Sequence, residues 1–194
     1  WSALNKDEKL HAIKNPDEYF IFCDQRISQM DVTDLRGIPS FENKEMLETV
    51  PMSWVVYFTQ PKAHGIIFFD EINLAAPIVA GSAYQIINDR AISDRTLGED
   101  VYLIAAGNRS QDKAYTHAMP FPLKDRFCEL EVTPDITDWT AWASGGNVNP
   151  HLIAFLQWKP DFLYKGDSVH KGEDKVSTPR GICRASKLIG DADL

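Results

Sequence analysis

Two adjacent carboxylates, Asp70 and Glu71, close a run of large apolar residues, Gly65-Ile66-Ile67-Phe68-Phe69, and lead into Ile72-Asn73. A continuous apolar run of this length reads as a strand buried on both faces, the pattern of a parallel sheet covered by helices. Such a strand presents its terminal carboxylates at its C-terminal end, the edge at which open α/β sheets hold their ligands. There, one carboxylate can hold a Mg²⁺ ion through the ion's waters, while the next orients and polarises an attacking water. A core strand that merely ends in an acidic turn would have the same composition, so the neighbouring strand ends decide between the two.

Those neighbours are also apolar runs that end in polar groups. Tyr19-Phe20-Ile21-Phe22-Cys23 is followed by Asp24-Gln25-Arg26, and Val101-Tyr102-Leu103-Ile104-Ala105-Ala106 by Gly107-Asn108-Arg109. Cys128-Glu129-Leu130-Glu131-Val132 alternates apolar and acidic residues, as a strand near a sheet edge would. Helical or loop segments of a dozen or more residues separate the runs, which implies crossover connections and a parallel sheet. Ala76–Ile87 carries apolar residues at helical spacing. The stretch 27–39 is a loop or a short helix that Asp31 or Thr33 can cap. The aromatic segment Trp54-Val55-Val56-Tyr57-Phe58 fits either core packing beneath the sheet or an exposed insertion. Beyond Pro134 the pattern becomes helical: Ile136–Ala143 with Asp135 or Thr137 as cap, His151–Trp158, and 177–189 with Ser177 or Thr178 as cap and Pro179 in the first turn. The expected division is an α/β unit over 1–133 and a small helical unit over 134–194.

Bulk properties restrict the function. Lys and Arg total 20 against 28 Asp and Glu, so the formal charge is 20 − 28 = −8, which argues against salt-driven binding to nucleic acid. No run of 18 apolar residues is present to span a membrane, and the first residues lack the apolar stretch of a signal peptide, so a cytoplasmic location is expected. Cys23, Cys128 and Cys183 are far apart and lack ligand spacing, and they read as reduced core residues rather than a zinc site.

Five stretches then occur in a recognisable order. They are Ser28-Gln29-Met30-Asp31 through Asp34-Leu35-Arg36-Gly37-Ile38-Pro39; Gly65 to Asn73; Ala105-Ala106-Gly107-Asn108-Arg109; Pro122-Leu123-Lys124-Asp125-Arg126-Phe127; and Thr178-Pro179-Arg180. Together, from about Tyr19 to the end, the chain resembles the MoxR-like branch of the AAA+ ATPases, the clade with a hairpin inserted in the second core helix. The resemblance implies an α/β P-loop NTPase core, its N-terminal part missing, followed by an α-helical lid. It makes Asp70 the Mg²⁺-associated Walker B carboxylate, Glu71 the catalytic carboxylate and Asn108 sensor 1. Arg126 becomes the arginine finger that reaches a neighbouring subunit's nucleotide, a role suited to a planar, permanently charged guanidinium. Arg180 becomes sensor 2; an Arg in a helix's first turn opposes the dipole, so a nearby anion would account for it. Arg90 and Arg109 fit a subunit interface or a solvated surface equally well, and Trp54–Phe58 would lie in or beside the inserted hairpin.

The implied activity is ATP hydrolysis with Mg²⁺, coupled in a homo-oligomeric ring, a hexamer, to remodelling or maturation of a protein client such as a von Willebrand A domain protein. Membrane and nucleic-acid partners are not expected. One part of the pattern is missing: the glycine-rich GxxxxGK[ST] loop that holds the β- and γ-phosphates. No Gly-Lys dipeptide occurs, and the first glycine is Gly37. In the family this loop precedes the strand at Tyr19 by one helix, which would place it before Trp1. The alternatives are a non-catalytic AAA+ scaffold subunit without its own P-loop, or a nucleic-acid motor of the same clade.

Overall fold

The computed structural model describes residues 1–42, 48–108, 125–146, 148–164 and 177–190. They fall into two compact units, residues 1–108 with 125–128 and residues 129–190.

The first unit is α/β. In chain order it contains α1 (Lys6–Lys14), β1 (Phe20–Arg26), α2 (Val32–Arg36), β2 (Ile38–Ser40), β3 (Glu48–Val50), α3 (Ser53–Phe58) and β4 (His64–Asp70). Then follow α4 (Pro77–Asp89), β5 (Ala91–Ile92), β6 (Arg95–Thr96) and β7 (Val101–Ala105). Three strands form a parallel sheet in the order β1-β4-β7, so β4 is central. Two small antiparallel pairs, β2 with β3 and β5 with β6, complete the strands described.

Local sequence accounts for the helix starts. Asn5 opens α1 by accepting the Asp7 and Glu8 N–H groups, while the Glu8 carboxylate accepts the Asn5 N–H at 2.8 Å. This reciprocal arrangement satisfies amides that have no partner within the helix. Asp31 opens α2 with its N–H donating to Asp34 at 2.8 Å. Pro77 begins α4, where its missing N–H costs nothing. Past the end of α4, the Arg90 guanidinium donates to the Gly98 and Val101 carbonyls at 3.0 and 2.9 Å. Arg90 therefore ties α4 to the start of β7.

The core lies on one face of the sheet. Ile21 and Cys23 from β1, Ile67 and Phe69 from β4, and Val101 from β7 pack with α3 and α4, which contribute Trp54, Val55, Tyr57, Phe58, Val79, Ala83 and Ile86. The aromatic segment is thus a buried helix of the core, not an exposed insertion. Tyr57 is fully buried, and its hydroxyl lies 3.0 Å from the Tyr19 carbonyl and 3.1 Å from that of His64. Burial pushes the Tyr57 phenol and the Cys23 thiol above their usual ranges, because neither anion is solvated there.

Three expectations need correction. First, β4 is not buried on both faces: Gly65, Ile67 and Phe69 are buried, but Ile66 and Phe68 only partly. The same face carries exposed Phe20, Phe22, Tyr102 and Ile104, with Phe22 stacked on Phe68 at 5.9 Å. An apolar run reports that both faces are apolar; which of them is covered depends on what packs there. Second, 128–132 forms no strand, and Leu130 and Val132 are exposed, because alternation gives a face but does not supply a partner strand. Third, Cys128 is exposed rather than a core residue, whereas Cys23 is buried and Cys183 half-buried, all three as free thiols.

The second unit holds α5 (Ile136–Ala143), α6 (Pro150–Trp158) and α7 (Pro179–Gly190). Trp139, Ala143, Val148, Leu156 and Leu163 form its core, joined by Ile182 and Cys183 of α7. Asp135 caps α5 by accepting the Thr137 and Asp138 N–H groups at 2.8 and 3.0 Å. Those donors, the Asp138 amide foremost, hold its carboxyl below the usual range. The cap's contribution is therefore complete above the ordinary Asp pKa and is lost as pH falls through the lowered one. The Thr178 hydroxyl accepts the Gly181 N–H at 3.1 Å at the start of α7. No helix among the described residues is long and apolar enough to cross a membrane.

Gly65 is the tightest position in the sheet. Its φ is +152°, and a Cβ there would stand 2.1 Å from the Ile21 carbonyl oxygen, a backbone atom that cannot step aside. Gly65→Ala is expected to destabilise the protein by about 3 kcal/mol or more. Chemical denaturation checks this; a loss of less than about 1 kcal/mol would show that β1 and β4 can separate at that point.

Candidate functional site at the strand ends

The parallel register sets the site. Arg26 pairs with Asp70 across β1 and β4, and Phe69 pairs with Ala105 across β4 and β7. The chain segments leaving β4 and β7 therefore emerge side by side at the C-terminal end of the sheet. Asp70 ends β4 with Glu71 directly after it, and Asn108 follows β7 at the same end of the sheet.

Beyond the last paired residues the two segments stay joined. The Ala106 N–H donates to the Phe69 carbonyl at 2.8 Å, and the Ile72 N–H to the Ala106 carbonyl at 3.0 Å. Glu71 sits between these bonds in the left-handed region, at φ +54°. For a residue with a side chain this costs about 1 kcal/mol or more, and such strain persists only where neighbours over-determine it. Here the constraints are visible. The Glu71 N–H donates to Asp70 Oδ1 at 2.9 Å, and the Leu74 N–H donates to the Glu71 carbonyl at 2.9 Å. Ile72 is buried in the core. The turn lifts the Glu71 carboxylate off the strand axis, where it accepts a hydrogen bond from the Ser28 hydroxyl. Ser28 belongs to the 3₁₀ turn Ile27–Gln29 directly after β1, anchored by the buried Ile27.

Asp70 is partly exposed and faces Arg26 at 3.7 Å. Sequence spacing singles out neither Ser28 nor Arg26 as a site residue, although Ser28 opens one of the five family-like stretches. Their roles depend on the register between β1 and β4, which spacing does not give. Asn73 joins the same network through the backbone of Asn108. Arg126 is exposed in the turn 125–127 of the first unit, next to Phe127, which packs on that unit's core. Arg180 is exposed in the first turn of α7 and belongs to the second unit. Arg109 lies outside the described residues.

Asp70, Glu71 and the Ser28 hydroxyl offer hard oxygens, the donor chemistry that Mg²⁺ takes from one or two carboxylates together with substrate phosphates. Elsewhere, a cavity of about 470 Å³ bordered by Phe20, His64, Asp100 and Tyr102 opens at the opposite, N-terminal end of the strands, away from these carboxylates.

The Arg26–Asp70 pair is long and half-exposed, a geometry worth little in water. Arg26→Ala is accordingly expected to change stability by less than about 1 kcal/mol, measured by thermal or denaturant unfolding. A larger loss would make the pair a structural tie and leave Asp70 committed to it. Comparison with known families finds no family model that matches this chain, and comparison with curated proteins finds no match either, so its chemistry has to be read from the strand ends themselves.

Proposed function

We propose that this chain is most of an AAA+ ATPase core of the MoxR-like type, with residues 134–194 as its helical lid, and that it couples ATP hydrolysis in a ring assembly to remodelling of a protein partner. The observation that carries this reading is Asp70 at the C-terminal end of the central parallel strand, followed by Glu71 in a left-handed turn hydrogen-bonded by Ser28, with Asn108 after the adjacent strand. Carboxylates at the C-terminal end of a parallel sheet are where such chemistry is built.

In this mechanism Asp70 would hold Mg²⁺. When bound, the ion neutralises charge on the phosphates. Glu71 orients and polarises the attacking water, Asn108 touches the water or the γ-phosphate side, Arg126 acts in trans on a neighbour's nucleotide, and Arg180 contacts nucleotide from the lid. Positioning and charge stabilisation carry most of phosphoryl transfer, so these groups need fixed places more than unusual reactivity. The ring is proposed to be a homo-hexamer in the cytoplasm, and the client a protein such as one with a von Willebrand A domain.

A second reading is a non-catalytic scaffold subunit that donates only Arg126. It is favoured by one observation, the lack of any Gly-Lys dipeptide. It predicts no nucleotide binding by the full-length gene product.

Two experiments on the full-length product test the ATPase reading. Glu71→Gln is expected to retain bound ATP while turnover falls about a hundredfold or more; normal turnover by that variant sinks the Glu71 assignment. Mixing Arg126→Ala subunits with Glu71→Gln subunits is expected to restore part of the activity, since each interface needs one intact partner from each side. An absence of rescue at every mixing ratio counts against a finger acting in trans.

A further inference from the structure

Asn73 carries no group that reacts, yet the loops after β4 and β7 meet through it. Its Nδ2 donates to the Asn108 carbonyl at 2.5 Å, and the Asn108 N–H donates to its Oδ1 at 3.0 Å. A carboxamide offers a donor and an acceptor side by side, as a peptide group does, so the side chain acts as one more rung of ladder beyond Phe69 and Ala105. An Asp has no donor for the carbonyl, and an Ala has neither group. The neighbouring residue is fitted to this contact: a Cβ on Gly107 would stand 2.7 Å from Asn73 Oδ1 and push the carboxamide out. Two residues before Asn73 is the left-handed Glu71, and the backbone that Asn73 holds is that of Asn108 itself.

We propose that Asn73 is a positioning residue: it fixes the backbone of Asn108 relative to Glu71, so that the two side chains address one water in a common frame. This rests on the ATPase reading above. The clamp joins the Asn73 side chain to the Asn108 backbone, so its loss displaces a catalytic group that is itself still present, and an error of that kind costs rate more than affinity.

Amide hydrogen exchange on the protein tests the clamp without reference to activity. Asn73→Ala is expected to speed exchange of the Asn108 amide by about fivefold or more while the Ile67 and Phe69 amides keep their rates. An unchanged Asn108 rate overturns the proposal. In the full-length product, Asn73→Ala is expected to lower kcat by about tenfold or more with KM for ATP within about twofold. Adding it to Asn108→Ala should cost nothing further, because the residue it positions is already gone. Independent, multiplying losses in the double variant overturn the positioning role, since a merely structural defect would add to any other. An unmodified protein without ATP turnover overturns the ATPase reading, and the exchange experiment then still decides whether the clamp exists.

Discussion

The carbonyl oxygen of Ile21 occupies the space a side chain on residue 65 would need, and the sheet depends on that close approach. With glycine at the second position of β4, the backbones of β1 and β4 meet without a spacer, and pairing continues in register from Phe20 and His64 to Arg26 and Asp70. A parallel ladder slipped by one residue would turn Ile67 and Phe69 away from α3 and α4. It would also move the carboxylates off the end where Ser28 and Asn108 stand. Core packing and site assembly are therefore set by one register, and nothing near Glu71 could be adjusted by sliding a strand.

Much of this was legible from sequence because the elements are long or strongly patterned. The three apolar strands, the helix at Pro77–Asp89 and the helices of the second unit follow from apolar runs, helical spacing and caps such as Asp135 and Thr178. Less legible was whatever depends on contact between distant segments. Ser53–Phe58 is rich in aromatic and β-branched residues with weak helix preference, and it is helical because Trp54, Tyr57 and Phe58 are buried against the sheet. The exposure of Phe20, Phe22, Tyr102 and Ile104 could not be seen, since composition states what a face is made of and not what lies over it. At the site, Asp70 and Glu71 stand out as a pair, whereas the hydroxyl and guanidinium beside them, and the carboxamide that holds Asn108, do not. Ser, Arg and Asn are common in turns, and only the folded register shows what they touch.

The electrostatics of the strand ends have a simple arrangement. The chain as a whole is acidic, and two of its carboxylates stand next to each other at the end of the central strand. Each has a different neighbour: a guanidinium 3.7 Å from Asp70 and a hydroxyl donating to Glu71. The half-exposed pair leaves the Asp70 carboxylate partly open to solvent. The hydroxyl satisfies Glu71 without cancelling its charge. Two chemically identical groups are thus given unequal surroundings by the turn that separates them.

The left-handed backbone of Glu71 also bears on stability. A glycine enters that conformation freely and an asparagine readily, so replacement of Glu71 by either would relax the turn while leaving the hydrogen bonds of its backbone in place. A glutamate there leaves the turn less stable than a glycine would, so the carboxylate is held at a cost in stability.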